Sequence, residues 1–182
     1  MNIRRKVFLI ITVLWMVMIF SFSARPAEIS SEDSRHVGLL VGEIFVPGFE
    51  DWTEAEREAF AERVDHPVRK TAHAAEYAAL GLFVAGAYIE GAYIEGRKPD
   101  GEKKDKKNKA AQSSGRQTGI GRGIFVPWLI TAAYAATDEI HQLFVPGRSG
   151  QVSDVVLDSA GAMAGLLILG AVRFLTRRRY SE

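Results

Sequence analysis

The chain has 182 residues, 47% hydrophobic and 25% charged, with a formal net charge of +1, a length that suits one domain. It contains no cysteine, which excludes disulfides and thiolate chemistry. These totals would suit a soluble protein, but the apolar residues fall in four blocks with the charges between them.

Residues 7–22, VFLIITVLWMVMIFSF, form an uncharged block behind Arg4, Arg5 and Lys6. The following SFSA has the small residues of a signal-peptide cleavage site. Pro26 just beyond it and the length of the block favour a retained first span over about 7–23.

Residues 24–70 are a polar outer loop holding two amphipathic pieces. Ser31 is the expected cap of the first, in which Val37, Leu40, Val41 and Ile44 recur at helical spacing until Pro47 and Gly48 stop it. Thr53 with Glu56 is a capping box that opens a charged second helix running to about Val64. Eleven acids face four bases over residues 24–68, so anionic lipid is not the expected partner of this loop. The loop is expected to pack over the outer end of the bundle.

Residues 71–89, TAHAAEYAALGLFVAGAYI, begin a second span of about 71–90, long enough at 1.5 Å per residue to cover most of a hydrocarbon core of about 30 Å. Its Ala and Gly content suits close helix contact. A tandem duplication, GAYIE GAYIE G, lengthens its end from Gly86 to Gly96. Residues 97–123 are Lys-rich, polar and without apolar periodicity, and read as a disordered, solvated loop. Positive charge on a cytoplasmic loop explains the lysines, and no nucleic-acid partner is expected.

Residues 124–137, IFVPWLITAAYAAT, are too short to cross alone. The helix is expected to continue through Asp138, Glu139, His141 and Gln142 to Pro146-Gly147, giving a third span of about 124–145. A fourth covers about 155–176, with Gly161 and Gly165 four apart as in small-xxx-small packing. The predicted fold is an all-α integral membrane four-helix bundle, one domain over 1–182, with an amphipathic helical outer loop. Basic residues number three at the N-terminus, nine in the 97–123 loop and three after residue 176, against Arg148 alone in 143–154. The positive-inside rule then predicts a cell-membrane protein with both termini cytoplasmic.

Under that topology the polar clusters of the last three spans fall at one depth. Lys70, His73 and Tyr77 share a helix face, with Glu76 one turn from His73. Asp138, His141 and Gln142 share another, and Asp154 and Asp158 open the last span one turn apart. Ionisable groups at membrane depth cost about 2.5–3.5 kcal/mol each on insertion scales, so they mark a working site by default.

These residues carry a resemblance. H-x-x-E-Y opening one span, D-E-x-x-Q closing the next, then PGR and a D-x-x-x-D opening the last, resemble the VanZ-like family over Lys70–Leu82 and Thr137–Gly165. The resemblance implies a bacterial cell-envelope protein of four spans and a link to low-level resistance to the glycopeptide teicoplanin. The chain departs from the family pattern in its Lys-rich insert and in Asp158, where Asn is expected.

Read as an enzyme site, His73 is the general base, Glu76 its orienting carboxylate, and Asp138 or Glu139 a second acid–base group. Adjacent on a helix, Asp138 and Glu139 point to different sides, so one enters the site while the other orients the loop or meets Arg148. Lys70, Tyr77, Gln142, Arg148, Asp154 and Asp158 are the expected substrate-binding set, with Lys70 and Arg148 clamping an anionic headgroup. The alternative for Arg148 is a partner for Asp154 or Asp138, and for His73–Glu76 a buried interhelical hydrogen bond. His73, Glu76, Asp138 and His141 include residue types that hold zinc or manganese, but no linear metal signature is present and neither metal nor cofactor is expected. Trp15, Trp52 and Trp128 read as core or interfacial anchors, His36 and His66 as surface residues, and Gly147 and Gly150 as turn residues.

The expected partners are membrane lipids and an amphiphilic envelope molecule: a lipid-linked precursor, a phospholipid headgroup or a glycopeptide antibiotic. Three function classes stay open. They are an enzyme or binder of that molecule, a non-enzymatic structural module whose polar cluster is an interhelical network, and a small transporter. Oligomeric state is not legible. The transporter is the least expected, because the charges gather at one depth and no inverted repeat is visible.

Overall fold

The computed structural model describes the backbone of residues 3–95 and 109–179, and side chains within 3–90, 122–173 and 175. Among them are five α-helices: α1 Ile3–Ser23, α2 Ala27–Phe45, α3 Glu54–Glu95, α4 Lys109–Gln142 and α5 Val152–Arg179. A 3-10 turn, Phe49–Asp51, joins α2 to α3.

Helix α3 is the hub, touching all four others. The expected capping box starts it: the Thr53 N–H donates to Glu56 Oε2 at 2.8 Å and the Glu56 N–H to Thr53 Oγ1 at 3.4 Å. The Thr53 N–H and the Thr53 hydroxyl, which also donates to Glu56 Oε2 at 2.8 Å, hold the Glu56 carboxyl below its usual range. The charged helix does not stop near Val64. It runs through Pro67 into the apolar stretch and on through both GAYIE copies to Glu95. A mid-helix proline frees the carbonyl four residues back. Here that is Arg63, an exposed position where water can take it.

Helix α2 also departs from expectation. It begins at Ala27, a turn before Ser31, because Pro26 sets its entry and the Ala27 N–H donates to Pro146 O at 3.1 Å. Its buried face is Ser34, Gly38 and Gly42, not the apolar stripe. Ser34 hydrogen-bonds Asp65, and a Cβ on Gly38 would meet Val64 Cγ2 at 2.8 Å. Val37, Leu40 and Ile44 are exposed.

The apolar part of α3 packs against α1 and α5 through small residues. A Cβ on Gly165 would meet Ala78 O at 2.9 Å, and one on Gly161 would collide with Ala74 O, so the expected small-xxx-small seam is present and α3 and α5 run parallel. On the other side Trp15 Nε1 donates to Glu76 O at 2.9 Å and its ring meets Phe83 edge-on at 5.4 Å. Trp128 Nε1 ties α4 to Ser159 O of α5 at 3.0 Å. Trp52 packs on Phe49 and Phe60 at the α2–α3 corner. The core is Ile19, Tyr77, Leu80, Val84 and Ala135.

Three helices are long and apolar enough to cross a membrane: α1, α3 within Glu54–Glu90, and α5 within Val152–Arg173. Only 17% of the most apolar window of α1 and 22% of that of α5 is buried. Apolar surface left outward on that scale belongs in lipid, not water. The chain is an all-α membrane protein. Helix α4 is not among the three within the described residues. It ends at Gln142, and Leu143–Pro146 form turns, so the helix does not reach residue 145. The expected disordered loop of 97–123 is partly overturned: residues 109–123 are the first turns of α4. Residues 97–108, with most of the lysines, lie outside the described residues.

Candidate functional site

The polar residues of α3, α4 and α5 converge where α4 turns into α5. Helix α4 brings Asp138, Glu139 and Gln142, all buried. Asp138 Oδ2 accepts from Ser23 Oγ at 2.7 Å and from Gln142 Nε2 at 3.3 Å, tying the end of α1 to α4. Glu139 Oε1 takes the other Gln142 bond at 2.9 Å, while Oε2 accepts the Gln151 backbone N–H at 2.8 Å. A carboxylate there meets an N–H that no helical carbonyl can take, at the positive end of α5. Of the adjacent acids, Glu139 therefore orients the loop and lines the cavity described next, whereas Asp138 faces Ser23.

Between these elements lies a cavity of about 230 Å³. Lys70 and His73 from α3, Glu139 and Gln142 from α4, Arg148 from the turn, and Asp154 and Asp158 from α5 all reach it. Lys70 Nζ and Asp154 Oδ1 are 2.5 Å apart across the α3–α5 seam. Asp158 is 1% exposed, and its Oδ1 has no hydrogen-bond partner among the described residues.

Arg148 pairs with neither Asp154 nor Asp138. Its Nε donates to Arg25 O at 3.2 Å and its Nη2 approaches Phe22 O at 3.5 Å. It thus caps the carbonyl end of α1, where a cation is favoured. Burial, followed by the nearby Arg69 charge, lowers its pKa from the ordinary guanidinium value. A guanidinium stays charged in proteins regardless. Gly147 permits the turn before it with φ +74°, and a Cβ there would also come within 3.0 Å of Ala27 Cβ.

His73 Nδ1 and Glu76 Oε2 are 4.0 Å apart, an ion-pair distance rather than a hydrogen bond, and His73 Nδ1 has no hydrogen-bond partner among the described residues. Glu76 does not line the cavity, and neither does Tyr77, which is fully buried in the core. His141 stacks on Phe20 of α1, ring centroids 4.4 Å apart, instead of joining the cavity. Among the described residues no three His, Asp or Glu are placed to hold a metal ion, so His73, Glu76, Asp138 and His141 do not assemble as a ligand set.

Two basic side chains outside the expected binding set also line the cavity: Arg69, which the sequence reading does not single out, and His66, which is exposed as expected. Arg69 Nη2 pairs with Asp65 Oδ2 at 2.8 Å. The signal was present: positions 66, 69, 70 and 73 share one helix face, provided the helix is continued through Pro67.

The VanZ/LLP1 family matches the chain over residues 8–173. The chain belongs to that family, as the motifs from Lys70 and from Thr137 imply. No curated protein and no solved structure matches it.

Proposed function

We propose that this VanZ/LLP1 family member is a four-span cell-envelope protein that holds the polar head of an amphiphilic envelope molecule in the cavity at the α4–α5 turn. The observation that carries this reading is the convergence of Lys70, His73, Glu139, Arg148, Asp154 and Asp158, from three helices and a turn, on one space of about 230 Å³. Side chains that served only to pin helices together would close on one another and leave no such space.

Residues 124–142 of α4, about 28 Å of helix, supply the fourth span. The distribution of basic residues supports both termini and the Lys-rich segment in the cytoplasm, which sets the cavity at the outer leaflet. The outward stripe of Val37, Leu40 and Ile44 on α2 then rests against lipid beside the cavity.

Binding is favoured over acid–base catalysis. Six polar groups reach one space, whereas Glu76, the expected orienter of His73, stands 4.0 Å from it and off the cavity wall. The candidates for the bound molecule are a lipid-linked precursor, a phospholipid or, from the link to teicoplanin that the resemblance implies, a glycopeptide. The test is to express wild type, His73→Ala and Arg148→Lys in a glycopeptide-sensitive host and measure tolerance and membrane abundance. Tolerance lost at unchanged abundance supports a binding site. Abundance lost along with tolerance assigns the cluster to structure alone.

A further inference from the structure

The polar groups around the cavity are unequally satisfied. Its three strong cations are engaged: Arg69 with Asp65, Lys70 with Asp154, and Arg148 with the carbonyls of Phe22 and Arg25. A phosphate entering the cavity would have to detach one of them from its partner. Asp158 is the opposite case. It lines the cavity, is 1% exposed, and has an acceptor oxygen that no protein donor reaches among the described residues. Glu139, Asp138, Asp154 and Glu76 all lie close enough to bear on it electrostatically, and all are acidic. The second cavity group with an unpartnered atom is His73, through Nδ1.

Buried acceptors in native proteins find donors, and an acidic surround selects a positively charged one. Resting on the reading of the cavity as a headgroup site, we propose that Asp158 receives a protonated amine of the bound molecule, so that the ligand class is an ammonium-bearing headgroup and not a purely anionic one. The size fits: about 230 Å³ falls below the range of roughly 300–1,000 Å³ for drug-sized ligands, and a primary ammonium on a two-carbon arm is small. Its N–H donors match the free acceptor on Asp158. The amine can come from a membrane lipid of the ethanolamine class or from a soluble amine-bearing molecule such as a glycopeptide.

The test uses the full chain in detergent micelles and reads thermal stabilisation on titration with four probes. These are an ethanolamine phospholipid, a glycerol phospholipid with the same phosphate and no amine, a choline phospholipid whose cation has no N–H, and soluble phosphoethanolamine. The expected result is stabilisation by the ethanolamine lipid alone among the lipids, with apparent affinity about tenfold or more weaker in Asp158→Asn. A matching response to soluble phosphoethanolamine identifies a soluble source, and its absence a lipid one. The probe comparison is made within the wild type, so it holds even if the variant folds poorly. Equal stabilisation by the glycerol lipid, or by the choline lipid, overturns the ammonium assignment while leaving a headgroup site standing. Stabilisation by none of the four overturns both.

Discussion

Lys70 Nζ and Asp154 Oδ1 stand 2.5 Å apart, joining the middle of α3 to the first turn of α5. Their side chains are 28% and 25% exposed, so the pair is partly withdrawn from solvent and is screened less than a surface pair. Lys70→Gln and Asp154→Asn should each lower thermal stability in detergent. The double variant should be less damaged than the sum, with a coupling of about 1–2 kcal/mol. Strict additivity in a double-mutant cycle would mean that the two groups do not act on each other.

The α3–α5 seam makes a different prediction. A Cβ at Gly165 would sit 2.9 Å from the Ala78 carbonyl oxygen, and backbone cannot yield as a flexible side chain does. Gly165→Leu should cost about 1–3 kcal/mol by overpacking and reduce folded protein in the membrane. Gly170→Leu, at a position where a Cβ meets only the end of Ile124 at 3.6 Å, should be tolerated. Similar abundance for both variants would sink the claim of close packing.

Much of this was legible in the sequence, and each miss has its own physical reason. The Thr53–Glu56 box, the Gly161/Gly165 spacing and the gathering of Lys70, His73, Glu139 and Asp158 follow from short-range spacing, which survives into the structure. Ending the charged helix near Val64 and opening the span at 71 cut α3 in two, and so separated His66 and Arg69 from their own helix face. On helix α2 the helical spacing of the apolar stripe was legible, but spacing alone does not say which face turns inward, and close packing selects small residues. Its Ser34, Gly38 and Gly42 go inward and its leucine and isoleucine outward. Arg148 has carbonyl partners at the end of α1, more than a hundred residues away in sequence, and no spacing rule finds a backbone acceptor at that range.

Glu139 closes the α4–α5 turn through the Gln151 N–H at 2.8 Å. Glu139→Gln keeps the shape and an acceptor oxygen but removes the charge. The bond should weaken by about 1 kcal/mol, the difference between charge-assisted and neutral hydrogen bonds. Amide hydrogen exchange at Gln151 should then accelerate about fivefold while exchange in the α3 core stays unchanged. Exchange at Gln151 that matches the wild type would remove Glu139 from its role in holding the loop.

Arg148 tests whether the turn is pinned from a distance. Its guanidinium addresses two carbonyls at once, Arg25 O through Nε and Phe22 O through Nη2. A lysine ammonium is a single point donor and cannot reproduce that fork. Arg148→Lys should therefore retain the charge yet loosen the link between α1 and α2, at a cost of about 1 kcal/mol. Arg148→Ala should loosen it further, because the carbonyl end of α1 then also loses its cation. Protease cleavage at Arg25 in detergent reads this directly, since the Arg25 carbonyl is the acceptor. The order of cleavage rates should run alanine, lysine, wild type, fastest first. If both variants cleave at the wild-type rate, the capping contact does not hold the α1–α2 link, and the arginine is free to serve the cavity alone.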